Sequence, residues 1–151
     1  MRPGLFCVCL LFVVALYFPA TVARAASDTI NIDARLIWGT SEPKTDTKLK
    51  PVGPRLSEKL KNSPFKWDHY YECNAQKPFT LKSNQVQRVQ MSKRCEIVVT
   101  YLGNSEVKLE VYGNGQLVNT VTQALPRGEF LLVGGEAENS TAWFVVVRRA
   151  D

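Results

Sequence analysis

From Thr29 to Arg149 the apolar residues keep returning with a period of two, and that period rules out most folds at once. Ile30, Ile32, Ala34, Leu36 and Trp38 share one face of a segment whose other face carries Asn31, Asp33, Arg35 and Ile37. In extended chain, alternate side chains point to opposite sides, so this pattern predicts a half-buried strand. Phe65 to Cys73 repeats it, with Phe65, Trp67, His69, Tyr71 and Cys73 on one side and Lys66, Asp68, Tyr70 and Glu72 on the other. Cys95 to Leu102 sets Cys95, Ile97, Val99 and Tyr101 on one face, and Glu106 to Tyr112 does the same with Val107, Leu109 and Val111. Shorter strands are predicted over 77–81, 85–91, 116–122 and 129–133. Gly113-Asn114-Gly115 is the strongest hairpin signal, because tight primed turns need residues that tolerate positive φ.

The last segment, Thr141 to Arg149, is apolar on both faces: Ala142, Phe144 and Val146 on one, Trp143, Val145 and Val147 on the other. A strand of that kind needs cover on both sides. Pro54 suits the first position of a short helix, and Leu56 and Leu60 share a face of it. That helix is the expected cover on the outer side. The reading is all-β: a β-sandwich or curled antiparallel sheet of about eight strands with one short helix. The immunoglobulin pattern does not fit, because Cys73 and Cys95 are too close in sequence and no tryptophan lies between them.

The first 25 residues read as a signal peptide. Arg2 supplies the charge, Leu5 to Phe18 the apolar run, and Ala23-Arg24-Ala25 the cleavage site. The run is short for a membrane span, which needs roughly 20 residues. The expected product is an exported β-domain, 26–151, in the periplasm or outside the cell. Removing Arg2 and Arg24 from the 19 basic residues leaves 17 against 14 acidic ones, a net charge of +3. That excess gives no reason to expect a nucleic-acid partner. Cleavage would also discard Cys7 and Cys9 and leave Cys73 and Cys95 alone. In an oxidising compartment such a pair is expected to form one structural disulfide, worth about 3 kcal/mol.

Reactive groups are sparse. His69 is the only histidine, and its same-face neighbours Trp67 and Tyr71 suit packing better than proton transfer. No nucleophile elbow, metal-binding helix or phosphate loop is present. No catalytic residue, metal ligand or cofactor is assigned. Glu136 and Glu138 are the acids that a small glycan-acting hydrolase would use. A binding surface is the leading expectation, carried by the long basic connection from Gly39 to Lys66: Trp38, Lys44, Lys48, Lys50 and Arg55, joined by Tyr70 and Tyr112 on polar strand faces. The partners expected are an envelope polysaccharide, an anionic lipid headgroup or another exported protein. A secreted hydrolase inhibitor presenting the 39–53 loop is a further alternative.

The segments Ala34–Thr40 (ARLIWGT), Pro64–Trp67 (PFKW), Cys95–Gly103 (CEIVVTYLG) and Thr141–Val147 (TAWFVVV) are similar to those of small exported β-domain proteins of unknown function from environmental Gram-negative bacteria. The resemblance covers most of the mature chain. It implies an address and no chemistry, so no functional residue is carried over from it.

Overall fold

The computed structural model describes residues 28–46, 48–64, 66–74, 76–137 and 140–151. The signal segment 1–25, Phe65, Glu138 and Asn139 lie outside the described residues. Ten strands and one helix follow in the order β1 (Thr29–Thr40), β2 (Lys50–Pro51), α1 (Pro54–Lys61), β3 (His69–Glu72), β4 (Lys77–Lys82), β5 (Val86–Gln90), β6 (Cys95–Gly103), β7 (Glu106–Gly113), β8 (Gln116–Ala124), β9 (Phe130–Ala137) and β10 (Thr141–Arg149). They form two antiparallel sheets. The larger has the order β2-β3-β1-β10-β9, with β4 also paired to β1; the smaller is the meander β5-β6-β7-β8. The architecture is the sandwich-like all-β fold the alternation predicts. The strand count exceeds eight partly because β2 forms inside a stretch that reads as loop.

Twelve-residue β1 organises the large sheet. One edge pairs with β10 from Ile32 to Thr40. The other pairs first with β4, from Thr29 to Ala34, and then with β3, from Ile37 to Thr40. Between those partners Leu36 would lose its ladder bonds. Asn74 supplies one by accepting from the Leu36 N–H at 3.0 Å, and the Cys73 N–H donates to the Leu36 carbonyl at 2.9 Å.

The sheets face each other across an inner core that includes Ile30, Ile32, Leu36, Leu81, Ile97, Val99, Tyr101, Leu109, Val145 and Val147. These are the inward positions of the period-two pattern. Opposite parity on β1 and β10 sends Ile37, Ala142, Phe144 and Val146 to the outer face, where Leu56 and Leu60 of α1 and Tyr70 cover them. The helix has Pro54 at its start and Lys59 and Lys61 in its last turn, where cations favour the dipole. It is too short to persist alone. Full burial of Leu60 and near-full burial of Leu56 hold it, at about 1.5–3 kcal/mol per side chain.

Two tight turns meet the backbone requirement directly. Asn114 and Gly115 have φ of 50° and 78°, and Asn104 and Ser105 have 52° and 65°, as two-residue primed hairpins demand.

Three expectations are corrected. Cys73 and Cys95 are not bonded; both are free thiols. Strand β3 ends at Glu72, so Cys73 leaves the sheet and is exposed, while Cys95 opens β6 half-buried in the opposite sheet. Hydrogen bonds of Asn74, and not a disulfide, link the sheets at this point. Tyr70 is not on an open polar face; it is 4% exposed and buried under α1. Trp67 does not follow the face of Tyr71. The chain is irregular before His69, and Trp67 turns to the outer cluster, while its backbone N–H donates to the Tyr70 hydroxyl at 3.0 Å.

Candidate functional site

The large sheet outruns the small one at one end of the sandwich. There the inward parity of β1 continues past Leu36 to Trp38, and cross-strand register sets Trp38 directly opposite Trp143 on β10 and Tyr71 on β3. Three aromatic side chains thus stand side by side on one face of three adjacent strands. Trp38 and Tyr71 rings lie 6.5 Å apart at 42°, and His69 stacks near-parallel on Tyr71 at 6.4 Å. Trp38 and Trp143 are half-buried, not sealed into the core.

Lys44 closes over this row. Its Nζ sits 5.3 Å from the centre of the Trp38 ring, its backbone N–H donates to the Tyr71 hydroxyl at 3.0 Å, and its ammonium lies 3.7 Å from the Glu42 carboxylate.

Two hollows flank the tryptophan pair. One, of about 640 Å³, opens between the sheets, with Leu36 and Trp143 as its floor. Its walls carry Ser92, Arg94 and Cys95 on one side, Tyr112 and Asn114 at the β7–β8 turn, and Glu136 at the end of β9. The other, of about 330 Å³, is lined by Trp38, Thr40, Glu42, Lys44 and Thr141 among others. Gly135 lets the indole of Trp143 lie flat against β9, since a Cβ there would come within 2.7 Å of the ring. Apolar floor with a sparse polar rim is the usual make-up of a small-molecule or glycan cleft.

The remaining expected residues are dispersed. Tyr112 borders the larger hollow and has the Arg88 guanidinium 5.7 Å from its ring centre. Lys48 is exposed in the loop, where its N–H donates to the Asp46 carboxylate at 2.9 Å. Lys50 lies in β2, opposite Glu72. Arg55 is on the far side of the sheet with Lys59 and Arg148, each 5.7 Å from the centre of the Phe130 ring. Arg55 therefore stands apart from Lys44, on the side of the outer cluster. Tyr70 is buried and takes no part.

The sequence shows Trp143 only as part of one apolar face of β10, and it singles out no role for Arg94. The clue to Trp143 was its register: it closes the same inward face as Val145 and Val147, but at the strand's open end. Glu136 stands on the groove wall, whereas its expected partner Glu138 lies outside the described residues. No group of three or more His, Cys, Asp or Glu side chains able to hold a metal occurs among the described residues. Nor is any helix there long and apolar enough to cross a membrane. Comparison with family models, curated proteins and solved structures finds no match.

Proposed function

We propose that the protein is an exported, non-catalytic binding domain that takes an envelope polysaccharide at the open end of its sandwich. The observation that carries this reading is the cross-strand row Tyr71–Trp38–Trp143, in which the two half-buried tryptophans border the hollows and the buried Tyr71 packs behind Trp38. Pyranose rings present C–H-rich faces edged by hydroxyls. Indole faces suit the former, and Arg94, Glu136, Asn114 and Ser92 suit the latter. The hydrolase alternative needs a second carboxylate beside Glu136, and the lipid-headgroup alternative needs the lysines gathered on one surface; the aromatic row needs neither.

Affinity electrophoresis through gels containing neutral or acidic envelope polysaccharide tests the reading. The protein should be retarded by at least one polymer, with a change in tryptophan emission. Trp38→Ala should abolish retardation while the protein keeps a native circular dichroism spectrum at the temperature of the gel. Unretarded migration in every polymer would overturn the proposal. Export is checked by the mass of the protein recovered from the periplasm or medium, which should begin at Ala26.

A further inference from the structure

Strand edges expose unpaired backbone groups, and most edges of this protein carry features that discourage pairing. Strand β2 is two residues long and consists of Lys50 and Pro51; β4 has Lys77, Pro78 and Lys82; β5 is five residues long and carries Arg88; β9 carries Glu136. Edge strand β8 has only a bulge, the register shift that leaves Val118 unpaired between the Tyr112–Leu117 and Val111–Asn119 pairs. Its nine residues, QLVNTVTQA, contain no charge and no proline, and the charge-free run extends from Val111 to Pro126. Every residue of β8 is exposed except Val121, which is half-buried, and Leu117 and Val118 are 54% and 53% exposed. An edge this long, uncharged and β-branched is the one kind that proteins ordinarily avoid.

We propose that β8 is a self-association edge, pairing antiparallel with β8 of a second copy to join two four-stranded sheets into one of eight strands. The sequence suits a two-fold axis through Thr120. Thr120 then faces its own copy and Asn119 faces Val121, while Val118 and Leu117 approach Thr122 and Gln123 across the bulge at Val118. β-branched and polar residues meet throughout, and no like charges are opposed, although the chain as a whole is cationic. The absence of charge is what selects a second copy. A charged partner finds no counter-charge on β8, whereas an identical uncharged strand meets no repulsion. Nine residues span roughly 30 Å, and a strip about 10 Å deep buries on the order of 300 Å² per copy. This is under half of the about 800 Å² per partner of a standard interface, so the dimer is weak.

Sedimentation velocity of the purified protein from about 5 µM to about 1 mM should show a reversible monomer–dimer equilibrium. Thr120→Lys and Thr120→Glu should each be monomeric across that range with a native circular dichroism spectrum. Because position 120 faces itself, an equimolar mixture of the two variants should recover a dimer. A monomer at 1 mM for the parent protein overturns the proposal. So does a dimer that Thr120→Lys leaves intact, which would place the contact elsewhere. Capture of a foreign extended chain by a photo-crosslinker at position 120, with no homodimer, would assign the edge to a different protein and equally overturn it.

Discussion

The Asn74 side chain donates to the Met91 carbonyl at 2.9 Å while its oxygen accepts from the Leu36 N–H at 3.0 Å, so one amide ties the large sheet to the small one. Leu36 lies where the pairing of β1 passes from β4 to β3, and Met91 in turn donates its N–H to the Cys95 carbonyl at 2.9 Å. The bridge thus takes the place in the fold that a disulfide was expected to fill. Asn74→Ala removes both bonds and leaves the Leu36 N–H without its acceptor. The expected loss is about 2–4 kcal/mol, read as a lower urea midpoint at unchanged m-value.

Alkylation should be slow at Cys73. Cys73 is exposed as a residue, but its Sγ is drawn back against the chain, 3.9 Å from the Tyr71 carbonyl, and the loss of water there pushes the thiol up from 9.0 to about 11. At pH 8 this lowers the thiolate fraction roughly 100-fold, and the rate of iodoacetamide labelling at Cys73 should fall by a similar order relative to a small thiol. Peptide mass spectrometry without reductant should find Cys73 and Cys95 both alkylated after unfolding. Protection of both until reductant is added would show that they are bonded.

Asp33 gives the pH dependence a recognisable sign. It is 1% exposed, accepts from the Arg35 Nε at 3.1 Å and lies opposite Arg148 across β1 and β10. Burial raises its pKa above 3.8 despite both arginines. The native state therefore holds this proton more tightly than the unfolded chain, and its contribution to stability declines as pH rises from about 3.8 through the raised native value. Asp33→Asn removes that decline. The free-energy difference, variant minus parent, should become more favourable between about pH 3.5 and pH 7 in urea titrations; a flat difference would contradict the assignment.

Two adjacent glycines separate the groove from the outer core. A Cβ at Gly135 would lie 2.7 Å from the Trp143 ring, and one at Gly134 would lie 2.5 Å from the Phe144 ring. Each alanine substitution should cost about 1–3 kcal/mol through overpacking. Only Gly135→Ala should also shift tryptophan emission and weaken retardation by polysaccharide, because it lifts the floor of the hollow. Equal effects of the two on binding would argue that the groove is not the site.

The outer helix is legible in the sequence. Thr141 to Arg149 is apolar at every other residue on both faces, and α1 was the segment available to cover the second face; Phe144 and Leu60 meet there. Tyr70 was misplaced for the same local reason. Parity put it on the outer face correctly, but parity does not say whether an outer face is solvated. Cys73 was misplaced because an alternating pattern persists for one residue after β3 stops pairing at Glu72.

The sequence by itself determined an all-β sandwich or curled sheet, the facing of most of its strand residues, the Asn114-Gly115 hairpin and the covering helix. All of these follow from side-chain period and turn chemistry within a few residues of chain. Only the tertiary structure decided that Trp38, Tyr71 and Trp143 form one row, that Asn74 and not a disulfide joins the sheets, and that β8 is an edge. Those depend on register between strands far apart in sequence and on which sheet ends first. Hydrogen-bond geometry across the whole molecule sets both, and no local pattern encodes them.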